Sequence, residues 1–480
     1  MNIEPSIWRN MIVNADSYKL THHGMYPDGT EFVSAYIESR GGLYPATLFV
    51  GLQAFIREYL LRPLTIEHLQ QAEQVHAAMS VPFNRQIWLD LINDHGGYLP
   101  IEIEAVPEGT VVPTRNVLVQ ILNTDPKYPW ITTFVETALL RAVWYPTSVG
   151  TISWTIKQHL RAAFERTSDA PPELLRAYFH DYGARGVSSL ESAALGGLAH
   201  LVNFDQTDTV PGYLAARQWY NASPPRGSGQ FQEHTNIIAF GRENEAATFR
   251  GLLANPGAGV AGLLCDAYDH ENAVRNIIGK ELHEEVANFA GLVAVRCDSG
   301  DPVKVAADTV EWLMEDFGST VNSKGFRLLP PNIRVVQGDG LTPTSHGALY
   351  QELEKRGLAV DNLLSGMGGG LLQRINRDTL NFGMKASAVR INGTWKDIQK
   401  VPTGDAMKRS KAGRLALQFV DGDYQTVHRD SIPAEQNVLV PVFRDGKILR
   451  IHDFAELKER SERRTPDYYY RGSNEKAATA

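Results

Sequence analysis

The stretch GLVAVRCDSGDP (residues 291–302) decides the fold, because its apolar run ends abruptly in a polar, glycine-containing cluster. A parallel strand that is buried on both faces and followed by a loop has this pattern. Asp301 is placed to cap a helix, and Pro302 can occupy its first position. Apolar residues then recur at helical spacing up to Gly318, namely Ala306, Val310, Leu313 and Phe317. The stretch therefore predicts a unit of strand, loop and helix.

Three other stretches repeat this layout: AYFHDYGARG (177–186), NIRVVQGDGLTP (332–343) and NLLSGMGGGLLQR (362–374). After the first of them, Ser188 and Glu191 fit a capping box at the start of a helix. Polar loops at the carboxyl ends of successive parallel strands form the active face of a (β/α) barrel. The sequence thus predicts an α/β fold with an irregular (β/α) barrel over residues 151–382.

Both chain ends predict a second, mixed α/β domain. EFVSAYIESR (31–40) and LPIEIEAVPEGTVV (99–112) roughly alternate polar and apolar residues, as strands with one solvated face do. The strands predicted in NVLVPVFRDG (437–446) and KILRIHDF (447–454) are expected to return to this layer. The predicted domain therefore comprises residues 1–150 and 383–480, packs against the barrel, and ends in a disordered tail over residues 473–480.

Composition excludes several classes of function. The 480 residues are 43% hydrophobic and 21% charged, as in a globular protein, and the net charge of −8 argues against a nucleic-acid partner. A small phosphorylated substrate stays open, because a local basic pocket can bind it. Cys265 and Cys297 have no paired spacing, so neither a disulfide framework nor a zinc site is indicated. Without a signal peptide or a long apolar run, a cytoplasmic protein with no membrane partner is expected.

The most specific local feature is the glycine cluster Gly366–Gly370, which follows an apolar strand. Such glycines let backbone N–H groups approach an anion, and a helix beginning at Leu371 would add its positive end. A flexible turn explains the cluster equally well on its own. Arg374 and Arg377 lie just downstream and favour phosphate binding.

Two acidic loops are further candidates. Asp339 lies between two glycines after a strand, which suits a ribose hydroxyl, although Asp-Gly is also an ordinary turn. Arg296 and Asp298 follow another strand, and Asp266 and Asp269 lie about thirty residues earlier. Such a set can hold pyrophosphate and its magnesium ion. Capping and a solvated ion pair compete with this interpretation, which we nevertheless favour for Arg296 and Asp298.

Three common catalytic motifs are missing from the sequence. It contains no G-x-S-x-G, no P-loop and no H-E-x-x-H, so acyl transfer, P-loop ATPase and zincin activities lack their usual support. The adjacent His22 and His23 are interpreted as structural residues rather than as a metal site.

Taken together, seven motifs resemble the nicotinamide phosphoribosyltransferase family, and they occur in the family's order from Asp16 to about Leu417. They are DSYKLTHHGMYP (16–27), HDYGARGVSS (180–189), LVNFDQTDTV (201–210), RCDSGDP (296–302), VVQGDG (335–340), GGGLLQRINRDTLNF (368–382) and KRSKAGRLAL (408–417). The resemblance implies an enzyme that joins nicotinamide to the ribose of phosphoribosyl pyrophosphate and releases pyrophosphate. Nicotinate phosphoribosyltransferase and a non-catalytic phosphosugar-binding barrel remain as alternatives.

The resemblance also implies how the base is held. Tyr182, where the animal enzymes carry Phe, would stack on the nicotinamide ring. Tyr18 of a second subunit would cover the other face, so the active site would be shared in a homodimer. Arg185 would bond the amide carbonyl, and Asp208 would accept from the carboxamide nitrogen. A carboxylate at position 208 favours nicotinamide, because nicotinic acid would bring a second negative charge.

The remaining roles implied by the resemblance concern phosphate and catalysis. Arg296 and Asp298 would contact the sugar and the ring near Asp266, and Asp339 would contact the ribose. Gly338, Gly369 and Gly370 would line the phosphate site, and Arg377 would bind the 5′-phosphate. Basic residues would meet pyrophosphate or nucleotide phosphates, partly across the subunit boundary: Arg40, Lys385, Lys400 and Lys408, with Lys396 as an alternative to Lys400.

His234 matches the histidine that the family phosphorylates with ATP, so ATP as co-substrate and Mg²⁺ as cofactor are expected. His234, Arg296 and Asp298 are the predicted catalytic residues, and no specific metal ligand is assigned. The sequence departs from the animal pattern at Ala184, Gly262 and Gly383, where larger or hydroxylated residues are usual. Gly262 and Gly383 each remove a potential hydrogen bond near the ligand, which puts base affinity and ATP coupling in question.

Overall fold

An antiparallel sheet and a parallel sheet, each of seven strands, organise the described residues (9–254, 259–404 and 409–463) of the computed structural model. The strands are β1 Thr30–Ser39, β2 Ala46–Leu48, β3 Ile101–Ala105, β4 Val111–Pro113, β5 Val117–Asn123, β6 Phe179–Asp181, β7 Gln206–Thr207, β8 Gln230–Phe231, β9 Val260–Leu264, β10 Leu292–Cys297, β11 Thr320–Val321, β12 Arg327–Leu328, β13 Ile333–Gln337, β14 Leu363–Met367, β15 Phe382–Ile391, β16 Thr394–Asp397, β17 Leu415–Val420, β18 Asp423–His428, β19 Val440–Arg444 and β20 Lys447–Ile448.

The helices are α1 Leu52–Phe55, α2 Ile66–Ala78, α3 Arg85–His95, α4 Ile131–Phe134, α5 Glu136–Thr167, α6 Leu190–Leu201, α7 Val210–Tyr220, α8 His234–Ile238, α9 Glu245–Ala254, α10 His270–Asn272, α11 His283–Ala287, α12 Pro302–Phe317, α13 Pro343–Lys355, α14 Gly369–Leu372 and α15 Phe454–Glu462. Shorter 3₁₀ or π-helical segments are Ser17–Gly24, Ile56–Leu60, Pro172–Ala177, Ala184–Gly186, Arg242–Asn244, Ala273–Glu281, Val360–Asn362, Arg377–Thr379, Arg429–Ser431 and Ala434–Gln436. No helix of the described part combines the length and the apolar character that a membrane crossing requires.

The first compact unit contains the described residues of Met1–Thr151, Gln218–Ala222 and Asn376–Tyr469. Its antiparallel sheet has the order β16-β15-β1-β5-β3-β19-β20, so strands from both chain ends lie side by side. The predicted return of the C-terminal strands is confirmed for β19, where Phe443 pairs with Ile103. The second predicted strand is reduced to the two residues of β20.

The second unit contains the described residues of Ile152–Arg217 and Ser223–Ile375. Its sheet has the order β7-β6-β14-β13-β10-β9-β8, and every neighbouring pair is parallel. The inner strands are almost wholly buried, which explains their uninterrupted apolar runs. The predicted α/β class with a barrel-like sheet is confirmed.

One short segment draws the two edges of this parallel sheet together. Arg226 pairs with Gln206 on β7, and its backbone bonds Asp205 and Thr207 at 2.9 and 3.0 Å. Four residues later, Gln230 begins β8 at the opposite edge of the sheet. Because four residues span at most about 14 Å, the sheet must curl into a nearly closed barrel. We call residues 226–230 the closing segment.

The predicted helix starts are right in one case and displaced in another. Asp301 caps α12 by accepting from the N–H groups of Val303 and Lys304, with Pro302 in the first turn, as predicted. At α6, the predicted cap at Ser188 is wrong, because the Ser189 hydroxyl accepts from Ser192 instead. A Ser-Ser pair offers two neighbouring caps, and the backbone at Ser189 is the extended one. The predicted domain limits stay predictions, and the tail over residues 473–480 lies outside the described residues.

Two glycines let α6 and α7 touch at their backbones. A Cβ atom at position 212 would lie 2.6 Å from Cα of Gly197, and one at position 197 would lie 2.8 Å from Cα of Gly212. This contact fixes α6 and α7, which flank Asp208 and the turn after β6. Gly251 on α9 provides a contrast, since a Cβ atom there meets nothing within 4 Å.

We predict that Gly212→Ala lowers the melting temperature by about 4 °C or more, because overpacking costs about 1–3 kcal/mol. The matched control is Gly251→Ala, which should leave the melting temperature unchanged or raise it, since alanine is the better helix former. Differential scanning calorimetry of the two variants measures both effects. Equal melting temperatures would show that the α6 and α7 backbones do not need this contact.

Candidate active site

Polar side chains from five strands of the second unit converge where those strands end. Tyr182 directly follows β6, Asp208 follows β7, and His234 lies three residues after β8. Asp266 follows β9, and Asp298 follows β10. Since carboxyl ends of parallel strands meet at one edge, the fold gathers these residues at a single rim.

Asp208 is held by three donors. Its Oδ1 atom is 3.1 Å from His180 Nε2 and 2.9 Å from the backbone N–H of Ser228, and its Oδ2 atom accepts from the Ser228 hydroxyl at 2.7 Å. Partial burial alone would raise the pKa of Asp208, but the bonds from His180 and Ser228 and the charge interaction with His180 lower it to about 2. The side chain remains 41% exposed, so a ligand can reach a stable carboxylate.

Tyr182 is wedged into the barrel beside this carboxylate. Its ring stacks on His180 with centroids 4.7 Å apart and planes 12° apart. Cβ atoms at Gly338 and Gly366 would lie only 2.9 and 2.4 Å from the Tyr182 ring, so glycine is required at both positions. Burial, followed by the negative charge of Asp208, raises the pKa of Tyr182 and keeps its hydroxyl protonated.

A fully buried carboxyl group shapes the turn that carries Tyr182. Asp181 accepts from the N–H of Gly183 at 2.7 Å and from the Thr207 hydroxyl at 3.2 Å. Burial raises the pKa of Asp181. The group therefore ties the end of β6 to β7 and fixes where Tyr182 leaves the strand.

The third cluster contains His234, Asp266 and Asp298. His234 Nε2 lies 3.1 Å from Asp266 Oδ1 and 3.9 Å from Asp298 Oδ2, and one ligand atom of each residue lies within 4.8 Å of the others. Arg296 bonds Asp298 at 2.8 Å, and the Ser299 hydroxyl donates to Asp266. The two carboxylates are 5% and 14% exposed, whereas His234 is half exposed. Their oxygens are ligands that Mg²⁺ accepts, so the donor set fits this ion.

The glycine loop lies on the same rim. A Cβ atom at Gly186, next to the exposed Arg185, would approach Gly369 to 3.0 Å, and one at Gly370 would meet the carbonyl oxygen of Leu341 at 3.0 Å. The loops after β6, β13 and β14 are thus in backbone contact. The exposed Asp339 belongs to the loop after β13.

The helix expected at Leu371 begins instead at Gly369 and is only one turn long. Gly368 keeps a non-helical backbone at the cap, so the chain can turn two residues earlier than the apolar pattern suggests. Because a single turn has a small dipole, any anion here would depend on individual N–H groups.

The other predicted site residues belong to the first unit. Tyr18 is 58% exposed, and Arg377 pairs with its neighbour Asp378 at 2.9 Å. Burial, together with the positive charges of Arg40, Lys400 and Lys19, lowers the pKa of Lys385, although Glu136 opposes this effect. Of the predicted basic group, Arg40 and Lys400 are therefore near enough to Lys385 to interact with its charge. Lys408 lies outside the described residues.

Two departures from the animal pattern have a structural explanation. A Cβ atom at Gly262 would lie 2.3 Å from Cγ of Phe231, because this ring covers the glycine. At Gly383, a Cβ atom would lie 2.7 Å from a terminal nitrogen of Arg40. In both places a neighbouring side chain fills the space; Gly262 and the Phe231 ring form a size-matched pair, whereas the flexible end of Arg40 can move away from position 383.

A cavity of about 330 Å³ runs into the barrel below the rim. Tyr182, His180 and Ser228 line it toward the rim, and Val260, Leu292 and Leu364 line it near the starts of their strands. Phe231 also lines this cavity. The space is large enough for one flat ring beside Tyr182.

Sequence reasoning missed His180, Asp181, Ser228 and Phe231. His180 and Asp181 lie inside the quoted motif HDYGARG, and their place next to Tyr182 was a usable signal. Ser228 lies in the run PPRGSGQF (224–231), which carries no motif and gains its role only through barrel closure. Tyr182, Asp208, Arg296, Asp298, Asp266 and His234 are brought together, whereas their individual roles stay predictions.

Comparison with known protein families gives two matches. Residues 177–442 match the model described as the nicotinate phosphoribosyltransferase (NAPRTase) family. Residues 10–103 match the model described as the nicotinamide phosphoribosyltransferase N-terminal domain.

Curated relatives extend these matches over the chain. A nicotinamide phosphoribosyltransferase of Xanthomonas campestris pv. campestris is 45% identical over 450 residues, which cover 92% of this chain and 96% of that protein. One of Acinetobacter baylyi is 29% identical over 489 residues, covering 93% and 95%.

Solved structures share the fold at low sequence identity. A nicotinate-nucleotide pyrophosphorylase from Pyrococcus furiosus has a TM-score of 0.59 at 16% identity, with 96% of each chain covered. Human nicotinic acid phosphoribosyltransferase has a TM-score of 0.58 at 16% identity, with 95% of this chain and 94% of that chain covered. At this identity the likeness shows a common fold alone.

We predict that Gly262→Ala destabilises the second unit, because the new methyl group must displace the Phe231 ring and overpacking costs about 1–3 kcal/mol. Phe231→Leu should restore part of the lost melting temperature in the double variant, since a smaller side chain leaves room for alanine. Thermal unfolding of the single and double variants measures this coupling. Strictly additive effects would contradict a size-matched pair.

Proposed function

Because this chain belongs to the nicotinamide phosphoribosyltransferase family, we propose that its rim joins nicotinamide to phosphoribosyl pyrophosphate, giving nicotinamide mononucleotide and pyrophosphate. The chain is therefore a pentosyltransferase of NAD salvage. The observation that carries the choice of base is the Asp208 carboxylate, which His180 and Ser228 hold in its charged form at a reachable position. A carboxamide N–H can donate to it, whereas nicotinate would place a second carboxylate beside it.

The reaction replaces one bond at C1 of the ribose. The C1–O bond breaks, and pyrophosphate leaves with the electron pair of that bond. The pyridine nitrogen of nicotinamide supplies the electron pair for the new C1–N bond. The ribose gains positive character in the transition state. The pyridine nitrogen carries no proton, so no general base is needed at the nucleophile.

The residues of the rim fit this reaction by position and charge. Tyr182 is the proposed aromatic surface for the base, and Arg185 is the proposed donor to its amide oxygen. Asp298, oriented by Arg296, offers negative charge beside the ribose. Asp339 is the proposed ribose ligand, and Gly369 and Gly370 are the proposed phosphate ligands of the rim.

Asp266 and Asp298 are the residues that would hold Mg²⁺, because their oxygens lie together and are mostly shielded from solvent. When bound, the ion would neutralise charge on the departing pyrophosphate. The chain's own carboxylates orient the site for that ion, and Ser299 and Arg296 hold them in place.

We also propose that ATP stimulates the enzyme by phosphorylating His234: the bond between the γ-phosphorus and its bridging oxygen breaks, ADP leaves with the electron pair, and a ring nitrogen of His234 forms the new N–P bond. The imidazole is half exposed and oriented by Asp266, so one ring nitrogen is fixed while the ring can be approached from solvent. A phosphoryl group there would add negative charge next to two carboxylates. This arrangement favours a bound Mg²⁺, which links phosphorylation to pyrophosphate binding.

The proposed assembly is a homodimer with shared active sites. Tyr18 and Leu43 of the first unit are 58% and 79% exposed, as is expected of large apolar side chains that become buried in a subunit interface. Arg40, Lys385 and Lys400 would then meet phosphates at the site of the second subunit. We propose the cytoplasm as the location, because the two buried cysteines, Cys265 and Cys297, are free thiols.

Nicotinate phosphoribosyltransferase is the second candidate, favoured by the family model that covers residues 177–442. The test uses purified chain with phosphoribosyl pyrophosphate, Mg²⁺ and either base, with and without ATP, and identifies the nucleotide by mass. We expect nicotinamide mononucleotide, formed faster with ATP. Preferential formation of the nicotinate nucleotide would establish the second candidate, and binding without turnover would establish a phosphosugar-binding barrel.

We predict that Asp208→Asn lowers kcat/KM for nicotinamide about 10- to 100-fold, because a charge-assisted hydrogen bond of about 1.5–3 kcal/mol is lost. The same change should raise the relative kcat/KM for nicotinate, since the repulsion is gone. Steady-state kinetics with both bases at one pH measures the ratio. An unchanged ratio would remove Asp208 from base selection.

A further inference from the structure

We propose that His180 is a positioning residue for base selection, because one imidazole both donates to Asp208 and supports the ring of Tyr182. This inference rests on the proposed use of nicotinamide as the base. It assigns a role in specificity to a residue that touches neither the ribose nor the phosphates.

The bond to Asp208 limits what that carboxylate can still accept. An ionised carboxylate offers about four acceptor positions. His180 and the backbone N–H of Ser228 occupy Oδ1, and the Ser228 hydroxyl occupies one position of Oδ2. About one position on Oδ2 remains, which suits a single carboxamide N–H. Without His180, an acceptor position on Oδ1 would also become free, so a carboxamide N–H would no longer be directed to Oδ2 alone.

The same imidazole packs flat against Tyr182. The two planes differ by 12° at a centroid distance of 4.7 Å, and Gly338 and Gly366 both lie against the Cδ2–Cε2 edge of the Tyr182 ring. Tyr182 is therefore held by the imidazole on one face and by the two glycines along one edge. Because His180 lies on β6 and Tyr182 directly follows it, the strand sets the spacing between ring and carboxylate.

The charged surroundings of Asp208 make this role measurable through pH. Among the described residues, His180 and Tyr182 are titratable groups that interact with Asp208, and Tyr182 in turn interacts with Arg296 and Asp298. Tyr182 is uncharged at neutral pH because burial raises its pKa. His180 is thus the titratable neighbour whose removal most weakens the ionised form of Asp208.

Acid or base catalysis by His180 is not required. The nucleophile is an unprotonated pyridine nitrogen, and pyrophosphate leaves without a proton when its charge is neutralised. The His180 side chain is only 11% exposed, and its Nε2 atom is already engaged with Asp208 and lies 3.3 Å from the Ser228 hydroxyl. Its contacts are with the residues that read the base.

The test separates the donor from the ring with two substitutions. His180→Phe keeps an aromatic ring against Tyr182 but removes the donor, whereas His180→Gln keeps a donor at similar reach but removes the ring. We expect His180→Phe to raise KM for nicotinamide about tenfold or more with kcat changed less. The loss should grow between about pH 6 and about pH 4, because the pKa of Asp208 rises from about 2 toward its ordinary value when the His180 donor is gone.

Between about pH 6 and about pH 4, His180→Gln should stay closer to the parent than His180→Phe does and show a smaller rise in KM, because its amide N–H can still donate to Asp208. Matched controls are His283→Phe and His283→Gln, because His283 also stacks on an aromatic ring, Phe317, at 4.7 Å but lies on α11, outside the rim. Neither control should change the kinetics. If His180→Phe does not fold, His180→Ala replaces it, since it also lacks the donor.

The outcomes distinguish this inference from the proposed function. A parent enzyme that makes no nicotinamide mononucleotide would overturn the proposed function. An active parent whose His180→Phe and His180→Gln variants share one pH profile would overturn the positioning role alone. A pH profile that moves only in the donor-free variant supports it.

Discussion

The carboxylate of Asp208 depends on closure of the parallel sheet, and the rest of the rim is organised around the same constraint. One donor, His180, lies on β6, and the other, Ser228, lies in the closing segment. These two residues are 48 positions apart in the sequence. Ser228 reaches Asp208 because Arg226 pairs beside β7 before the chain enters β8. A barrel left open at this point would keep neither of the two Ser228 bonds. The base selection proposed for Asp208 would therefore be a consequence of tertiary structure rather than of a local motif.

Strand order explains why the rim has separate clusters. His234, Asp266 and Asp298 follow β8, β9 and β10, which are adjacent in the sheet, so their side chains form one acidic group. Tyr182 and Asp208 follow the neighbouring strands β6 and β7. The glycine loops follow β14 and β13 between these groups. A substrate that spans a base, a ribose and a pyrophosphate meets these clusters in turn, which matches the parts of the proposed reaction.

Sequence alone identified the strand ends and most of the rim, because a buried parallel strand followed by a polar loop is a strong local signal. Asp301 was placed correctly at the start of α12, because an N-cap residue followed directly by proline is a local signal contained within a few residues. The cap of α6 was misplaced by one residue, because Ser188 and Ser189 offer the same chemistry. Ser228 could not be found, since nothing in the run PPRGSGQF announces a contact with Asp208.

The glycines show why a single position that differs from the family pattern can be misinterpreted when its neighbours in the structure are not considered. Gly262 and Gly383 look like lost hydrogen-bonding groups until Phe231 and Arg40 are seen to occupy the space above them. Gly338 and Gly366 likewise admit the Tyr182 ring, so Gly338, a position predicted to serve phosphate, also sets the position of the ring that is proposed to hold the base. In a close-packed barrel interior, the size of one side chain is fixed by its neighbour. A glycine that departs from the family pattern at such a position should therefore be considered together with the side chain that fills its space. Whether the departure affects the ligand depends on which of these two residues lines the cavity.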